Sequence, residues 1–101
     1  RIRTAVGVAY GSDIDHVIET LEAVADANED ILATPAPRVR FRRFGDSSLD
    51  FELLGWIANP ADRGRVTHDL NCAVYKAFGT HNIEIPFPQR DLHVRSMPES
   101  D

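Results

Sequence analysis

Residues 37–56 read PRVRFRRFGDSSLDFELLGW, and the way these twenty letters pair decides the fold. Val39 and Phe41 alternate with Arg38, Arg40 and Arg42; beyond Gly45, Asp46 and Ser47, the residues Leu49, Phe51 and Leu53 alternate with Asp50 and Glu52. Alternation with a period of two puts one set of side chains on each face of a strand, and Gly, Asp and Ser are favoured in tight turns, so the stretch predicts a β-hairpin. Its register follows if Phe44 faces Ser48 across the turn. Phe41 then lies opposite Phe51, Val39 opposite Leu53, Arg42 opposite Asp50 and Arg40 opposite Glu52. A slip of one residue would set Phe41 against Glu52 and throw one strand's apolar set onto the wrong face. Each favourable cross-strand pair contributes only about 0.2–1 kcal/mol, but all of them favour the same register.

On the upstream side, Thr34-Pro35-Ala36-Pro37 forms a stiff connector, because each proline fixes its own backbone and biases the residue before it toward extended forms. Before it, Ile14, Val17, Ile18, Leu21, Val24 and Ala25 recur at three- and four-residue steps and predict a helix over 13–28, with Ser12 and Asp15 as a capping box. Ahead of that, Val6 and Val8 alternate with small residues and predict a strand over 3–10. On the downstream side, Gly55 marks a bulge or bend, and Asn59-Pro60-Ala61-Asp62 reads as a helix start. Val66, Leu70, Ala73, Val74, Ala77 and Phe78 predict a second amphipathic helix over 63–80, ended by Asn82 in left-handed backbone; Ile83 and Ile85 begin another strand.

The resulting order is β-α-β-β-α-β plus an extra strand. That is the split β-α-β pattern of ferredoxin-like α+β folds, an antiparallel sheet with both helices on one face. The chain has 101 residues, enough for one domain with its own core; residues 1–89 make up that domain, 90–95 a further strand and 96–101 a tail. A formal net charge of −5 argues against a domain built to hold nucleic acid through its phosphates. One cysteine, Cys72, allows no internal disulfide and no paired-cysteine site. The sequence holds no apolar stretch near the roughly 20 residues of a membrane-spanning helix. It begins without an initiator Met, and we expect it to be a piece of something longer.

The chemistry-bearing motifs are few. Ser47 and Ser48 in GDSS lack the strand-Gly-x-Ser-x-Gly-helix setting of a nucleophile and read as turn residues. His68 and Cys72, four apart on the second helix, could both touch a metal, but a tetrahedral zinc site needs a third protein ligand, and His16, His81 and His93 are scattered. The arginine stripe at 38, 40, 42 and 43 faces carboxylates and lacks the stacking aromatics of an RNA-reading sheet. The loop Tyr10-Gly11-Ser12 at a helix start could accept an anion only weakly, since Asp13 and Asp15 already occupy that positive end. No catalytic, cofactor or metal residue is therefore expected. A free-standing small-ligand sensor or small enzyme using the 10–12 loop stands as the alternative.

Three stretches together carry a resemblance: VGVAYGSDID, PRVRFRRFGDSSLDFELLGWI and LNCAVYKAFGTHNIEIPFPQRDLHV. In order and spacing they resemble the C-terminal cytoplasmic domain of MscS-type small-conductance mechanosensitive channels, over about residues 6–94. The FGDSS turn and the IEIPFPQRDLHV ending are the most specific parts. One departure stands before that ending, where Gly79-Thr80-His81-Asn82-Ile83 replaces the usual Glu-x-Gly-Ile.

The resemblance implies a non-enzymatic domain that forms part of a homoheptameric cage on the cytoplasmic side of a bacterial inner membrane. Its last short strand would join copies from neighbouring subunits in a small barrel, with its own copies as partners and the membrane reached only through upstream helices. The residues agree at one place. Leu92 and Val94 alternate with Asp91, His93 and Arg95, while Pro86 and Pro88 remove backbone donors and stiffen the exit, so this strand is not expected simply to continue the domain's own sheet. Pro86, Phe87, Pro88, Gln89, Leu92 and Val94 are accordingly the expected contacts between copies, with weak or no ring formation by the isolated chain in dilute solution.

Overall fold

In a computed structural model of the chain, which describes residues 1–88, the 37–56 stretch forms two of three antiparallel strands. The elements are β1 (Ile2–Val8), α1 (Ile14–Ala27), β2 (Arg38–Phe44), β3 (Leu49–Gly55), a 3-10 turn at Pro60–Asp62, and α2 (Arg63–Thr80). The sheet order is β1-β3-β2, so β3 is central and bonds to a neighbour on each side. Both helices pack on one face of this sheet, giving the α+β layering the sequence predicts.

The alternation along β3 governs the layering. Leu49, Phe51, Leu53 and Gly55 are buried, while Asp50, Glu52 and Leu54 are half-buried on the opposite face. Phe51 faces Val6 of β1 and Phe41 of β2, and the two Phe rings stack at 4.9 Å. Against this face α1 lays Val17, Leu21, Val24 and Ala25, and α2 lays Val66, Leu70, Val74 and Phe78, all buried. Burying a side chain of this size contributes roughly 1.5–3 kcal/mol, so the eight helical residues and the inner face of β3 are the main apolar source of stability. Both predicted helical stripes thus form the core, except that Ile14 stays exposed.

The hairpin register is as expected from Val39 to Phe41, and then shifts. Arg43, not Arg42, pairs with Asp50, and Phe44 pairs with Leu49 instead of Ser48. Arg42 is the extra residue of a β-bulge. The bulge changes the parity of the strand. Without it Phe44 would share a face with Arg40; with it, Phe44 lies on the face of Phe41, against which its ring packs edge-on at 5.1 Å. Gly55, where a bulge was expected, instead pairs regularly with Ile2 and lets Ile31 pack within 3.1 Å of where a Cβ would stand. At the turn, Gly45 N–H bonds Ser48 O at 2.6 Å, and a Cβ on Gly45 would lie 2.9 Å from that same backbone oxygen, so a larger residue would force the turn to shift.

The ends of the helices differ in detail from expectation. The N-cap of α1 is Asp13, whose carboxylate accepts from His16 N–H, while the Ser12 hydroxyl donates to Ala9 O. Ser12 therefore does not form the predicted capping box. Asn82 takes left-handed backbone with φ of 59°, and Ile83 N–H bonds Phe78 O, closing α2 as predicted. The predicted strand at Ile83–Ile85 does not form. One backbone bond, Ala9 N–H to Glu84 O at 2.9 Å, holds this segment to the end of β1. β1 turns away at Tyr10 and Gly11, and Pro86 and Pro88 have no N–H to give, so no ladder can extend from that bond. The further strand expected over 90–95 lies outside the described residues.

Thr4, on the inner face of β1, is 3% exposed, and its Oγ1 has no hydrogen-bond partner among the described residues. Burying a hydroxyl unpaired is unfavourable, so Thr4→Val is expected to stabilise the fold by about 1 kcal/mol. Urea denaturation checks this; an unchanged or lowered midpoint would show that the hydroxyl is satisfied.

Candidate assembly surface

Two features of the exterior stand out against the ordered core. The first is apolar and lies where the chain leaves α2. Tyr75 is 72% exposed, Ile85 45% and Phe87 82%. Tyr75, Ile85, Pro86 and Phe87 line one groove of about 420 Å³ with Phe78, Gly79 and Ile83. A second groove continues from Tyr75 and Ile85 along the outer edge of β1, past Ala5, Val6 and Gly7. Among the described residues, that edge carries no strand: β1 pairs with β3 on its inner side only. Beyond Phe87, Pro86 and Pro88 flank the β2–β3 turn at Arg43 and Gly45–Ser48.

The position of these groups has local causes. Ile83 is buried and caps α2, which pulls the chain back across the end of β1, and the Glu84 carbonyl is fixed by Ala9. Ile85 and Phe87 consequently leave the core. Tyr75 follows the buried Val74 on α2 and so points away from the apolar stripe. Of the expected contact residues, the structure brings Pro86, Phe87 and Pro88 together at the exit, while Gln89, Leu92 and Val94 lie outside the described residues. The sequence reading missed Tyr75 and assigned Ile85 to the sheet. The signal for Tyr75 was its place off the 66/70/74/78 stripe.

The second feature is the open face of the sheet. Register places Arg3, Ala5 and Gly7 of β1, Leu54, Glu52 and Asp50 of β3, and Arg38, Arg40 and Arg43 of β2 side by side on it. Glu52 is approached by Arg42 Nε at 3.5 Å and Arg3 Nη1 at 3.8 Å, and Asp50 by Arg43 Nε at 3.0 Å. Arg38 lies over the Trp56 ring at 5.8 Å. The Ser48 hydroxyl donates to Asp50 Oδ1 at 2.6 Å, which assigns it a structural partner. Ser48 and then Arg43 hold the Asp50 carboxyl below its ordinary pKa. The expected self-neutralisation of the arginine stripe is therefore incomplete: with Arg3 of β1 added to Arg38, Arg40, Arg42 and Arg43, two carboxylates answer five guanidinium groups.

The remaining candidate sites do not assemble. His68 Nε2 and Cys72 Sγ lie 3.7 Å apart on the exposed side of α2, and no group of three or more metal-binding side chains occurs among the described residues. The Tyr10–Ser12 loop is bonded internally through Ser12, and the Tyr10 hydroxyl donates to Gly45 O. No helix among the described residues is long and apolar enough to cross a membrane.

Comparison with known proteins matches residues 2–85 to the family described as mechanosensitive ion channel MscS, C-terminal. The chain belongs to the MscS family. A solved structure, Helicobacter pylori MscS in a closed state, superposes with a TM-score of 0.84 at 32% identity, covering 94% of this chain and 38% of that one. The small-conductance mechanosensitive channel of Edwardsiella ictaluri is 39% identical over 93% of this chain, which spans 32% of that protein. An uncharacterized MscS family protein of Synechocystis is also 39% identical, over 93% of this chain and 31% of its own length. The mechanosensitive channel MscK of Escherichia coli is 33% identical over 95% of this chain, which is 9% of MscK. The chain thus spans between 9% and 38% of the length of these proteins. It is an MscS C-terminal domain, and the surfaces above belong to that domain.

Because Asp50 has a folded-state pKa below its ordinary value of 3.8, the stability it contributes is present above that value and is lost as pH falls through the lowered one. Asp50→Asn should therefore be less stable than the parent at neutral pH, with the gap closing below pH 3.8 in urea melts followed against pH. A gap independent of pH would contradict this.

Proposed function

We propose that this MscS domain is an assembly element of a mechanosensitive channel: a wall segment of a cage on the cytoplasmic side of a bacterial inner membrane, through which solutes reach a pore supplied by the rest of the parent protein. The reading assigns it no reaction and no cofactor. Its partners are copies of itself, seven in the ring that the family resemblance implies, and its physiological setting is ion release under osmotic stress.

The observation that carries this reading is the apolar exit. Phe87, Ile85 and Tyr75 are exposed beside the outer edge of β1, which carries no strand among the described residues, at the point where the chain continues toward residues 90–95. An open strand edge and a cluster of exposed apolar side chains are liabilities for a lone domain and assets for one that is covered by a neighbour. Pro86, Phe87 and Pro88 stiffen this exit. Gln89, Leu92 and Val94 then extend the same contact, with residues 90–95 as a strand shared in a ring, where closure removes the edge.

Two experiments test the reading. The encoding gene must carry an apolar run of about 20 residues upstream of Arg1; a gene without one removes the channel assignment. In the isolated chain, Phe87→Ser is expected to weaken concentration-dependent association by about tenfold or more, as loss of a central aromatic contact does. Removing residues 90–101 should abolish association in sedimentation runs while leaving the urea midpoint in place. Unchanged association would contradict the assignment of the exit, and an unfolded product would place residues 90–101 in the core.

A further inference from the structure

We infer that the open, arginine-bearing face of the sheet is a docking surface for α1 of a second copy of this chain, so that copies stack face against back in head-to-tail order. This rests on the assembly reading and deepens it by naming a second contact.

The chain carries a net charge of −5, yet the open sheet face presents five arginines against two carboxylates. Arg40, at the middle of that face, is exposed and forms no salt bridge among the described residues; its Nη1 donates only to Val39 O at 3.4 Å. The missing negative charge is on α1. From residue 13 to residue 30 the sequence has seven Asp or Glu and no Lys or Arg. Asp15, Glu19, Glu22 and Asp26 follow one another at steps of four, three and four, so they form a single stripe, and all four are exposed. Among the described residues, Asp30 alone of the seven has a cationic partner, Arg65 at 2.9 Å. Like charges at these spacings destabilise an isolated helix, and among the described residues no Lys or Arg side chain stands in a salt bridge with Asp15, Glu19, Glu22 or Asp26.

The two surfaces cannot meet within one chain. α1 buries Val17, Leu21 and Val24 against the inner face of the sheet, so its acidic stripe points outward on one side of the domain while the arginines point outward on the other. Contact between different patches of identical chains is heterologous, the kind that closes into a ring or runs on as a filament. The spacings also agree. Carboxylates three or four residues apart on a helix stand roughly 5–6 Å apart, and arginines two apart on a strand roughly 6.6 Å apart.

The test uses the full 101-residue chain with Cys72→Ala, at about 1 mM, the effective concentration of modules held side by side. Arg40→Cys and Glu22→Cys are introduced singly and together, and the samples are oxidised mildly at low salt. The double variant is expected to give a ladder of covalent multimers, whereas each single variant gives none above dimer, and the ladder should fade at 1 M salt, where screening acts within about 3 Å. In parallel, Arg40→Glu and Glu22→Arg should each weaken association by about tenfold, and the combined variant should restore it. Association in sedimentation without a ladder would overturn this contact while leaving self-assembly in place. No association of the parent chain even at this concentration would overturn both. Saturable binding of single-stranded nucleic acid by the parent chain, lost in Arg40→Glu, would assign the face to a different partner and overturn the inference.

Discussion

The structure depends on the period-two alternation of β3 between two antiparallel neighbours. Leu49, Phe51, Leu53 and Gly55 turn inward, and the stacked Phe41 and Phe51 rings fix the register of the hairpin at its centre. Everything else follows from that sidedness. The inner face must be covered, which recruits Val17, Leu21 and Val24 from α1 and Val66, Leu70, Val74 and Phe78 from α2. The outer face inherits the charged half of the alternation, so Asp50 and Glu52 stand in a row between arginines from both sides. The domain is polar in a literal sense, with an acidic helix on one side and a basic sheet on the other.

The bulge at Arg42 shows how far residue patterns carry and where they stop. Val39, Phe41, Phe51 and Leu53 announce the hairpin because their alternation admits one pairing. The run Arg42-Arg43-Phe44 breaks that alternation, and two adjacent arginines can exchange partners among Glu52 and Asp50 at similar Coulombic gain. What decides is apolar contact, since the bulge returns Phe44 to the face of Phe41. A sequence reading that pairs charge with charge cannot weigh that term. The same applies at Ser12 and Asp13, where two adjacent residues both suit an N-cap and the tight Tyr10–Gly11 turn selects the second.

The segment after α2 was legible in part. Asn82 ends the helix in the left-handed backbone its side chain tolerates, and Pro86 and Pro88 mark a stiff exit. The strand read at Ile83–Ile85 fails because alternating isoleucines report burial, not ladder formation. Ile83 is buried as a helix cap, and Ile85 is left outside with Phe87 and Tyr75. The chain matches the MscS C-terminal family over residues 2–85 and superposes on Helicobacter pylori MscS, and the assembly role proposed above is the reading under which this exterior is useful. In an assembling domain, apolar side chains at a chain exit and opposite charges on opposite faces are the surfaces that a lone globular domain would bury or balance.

Whether the exterior of this domain is shaped for its neighbours can be read from amide hydrogen exchange on the parent channel and on the isolated chain under the same conditions. Peptides covering residues 2–8, 15–26, 38–43 and 85–88 are expected to exchange more slowly in the parent channel, while those covering α2's buried stripe are unchanged. Equal exchange in both forms across these segments would contradict this.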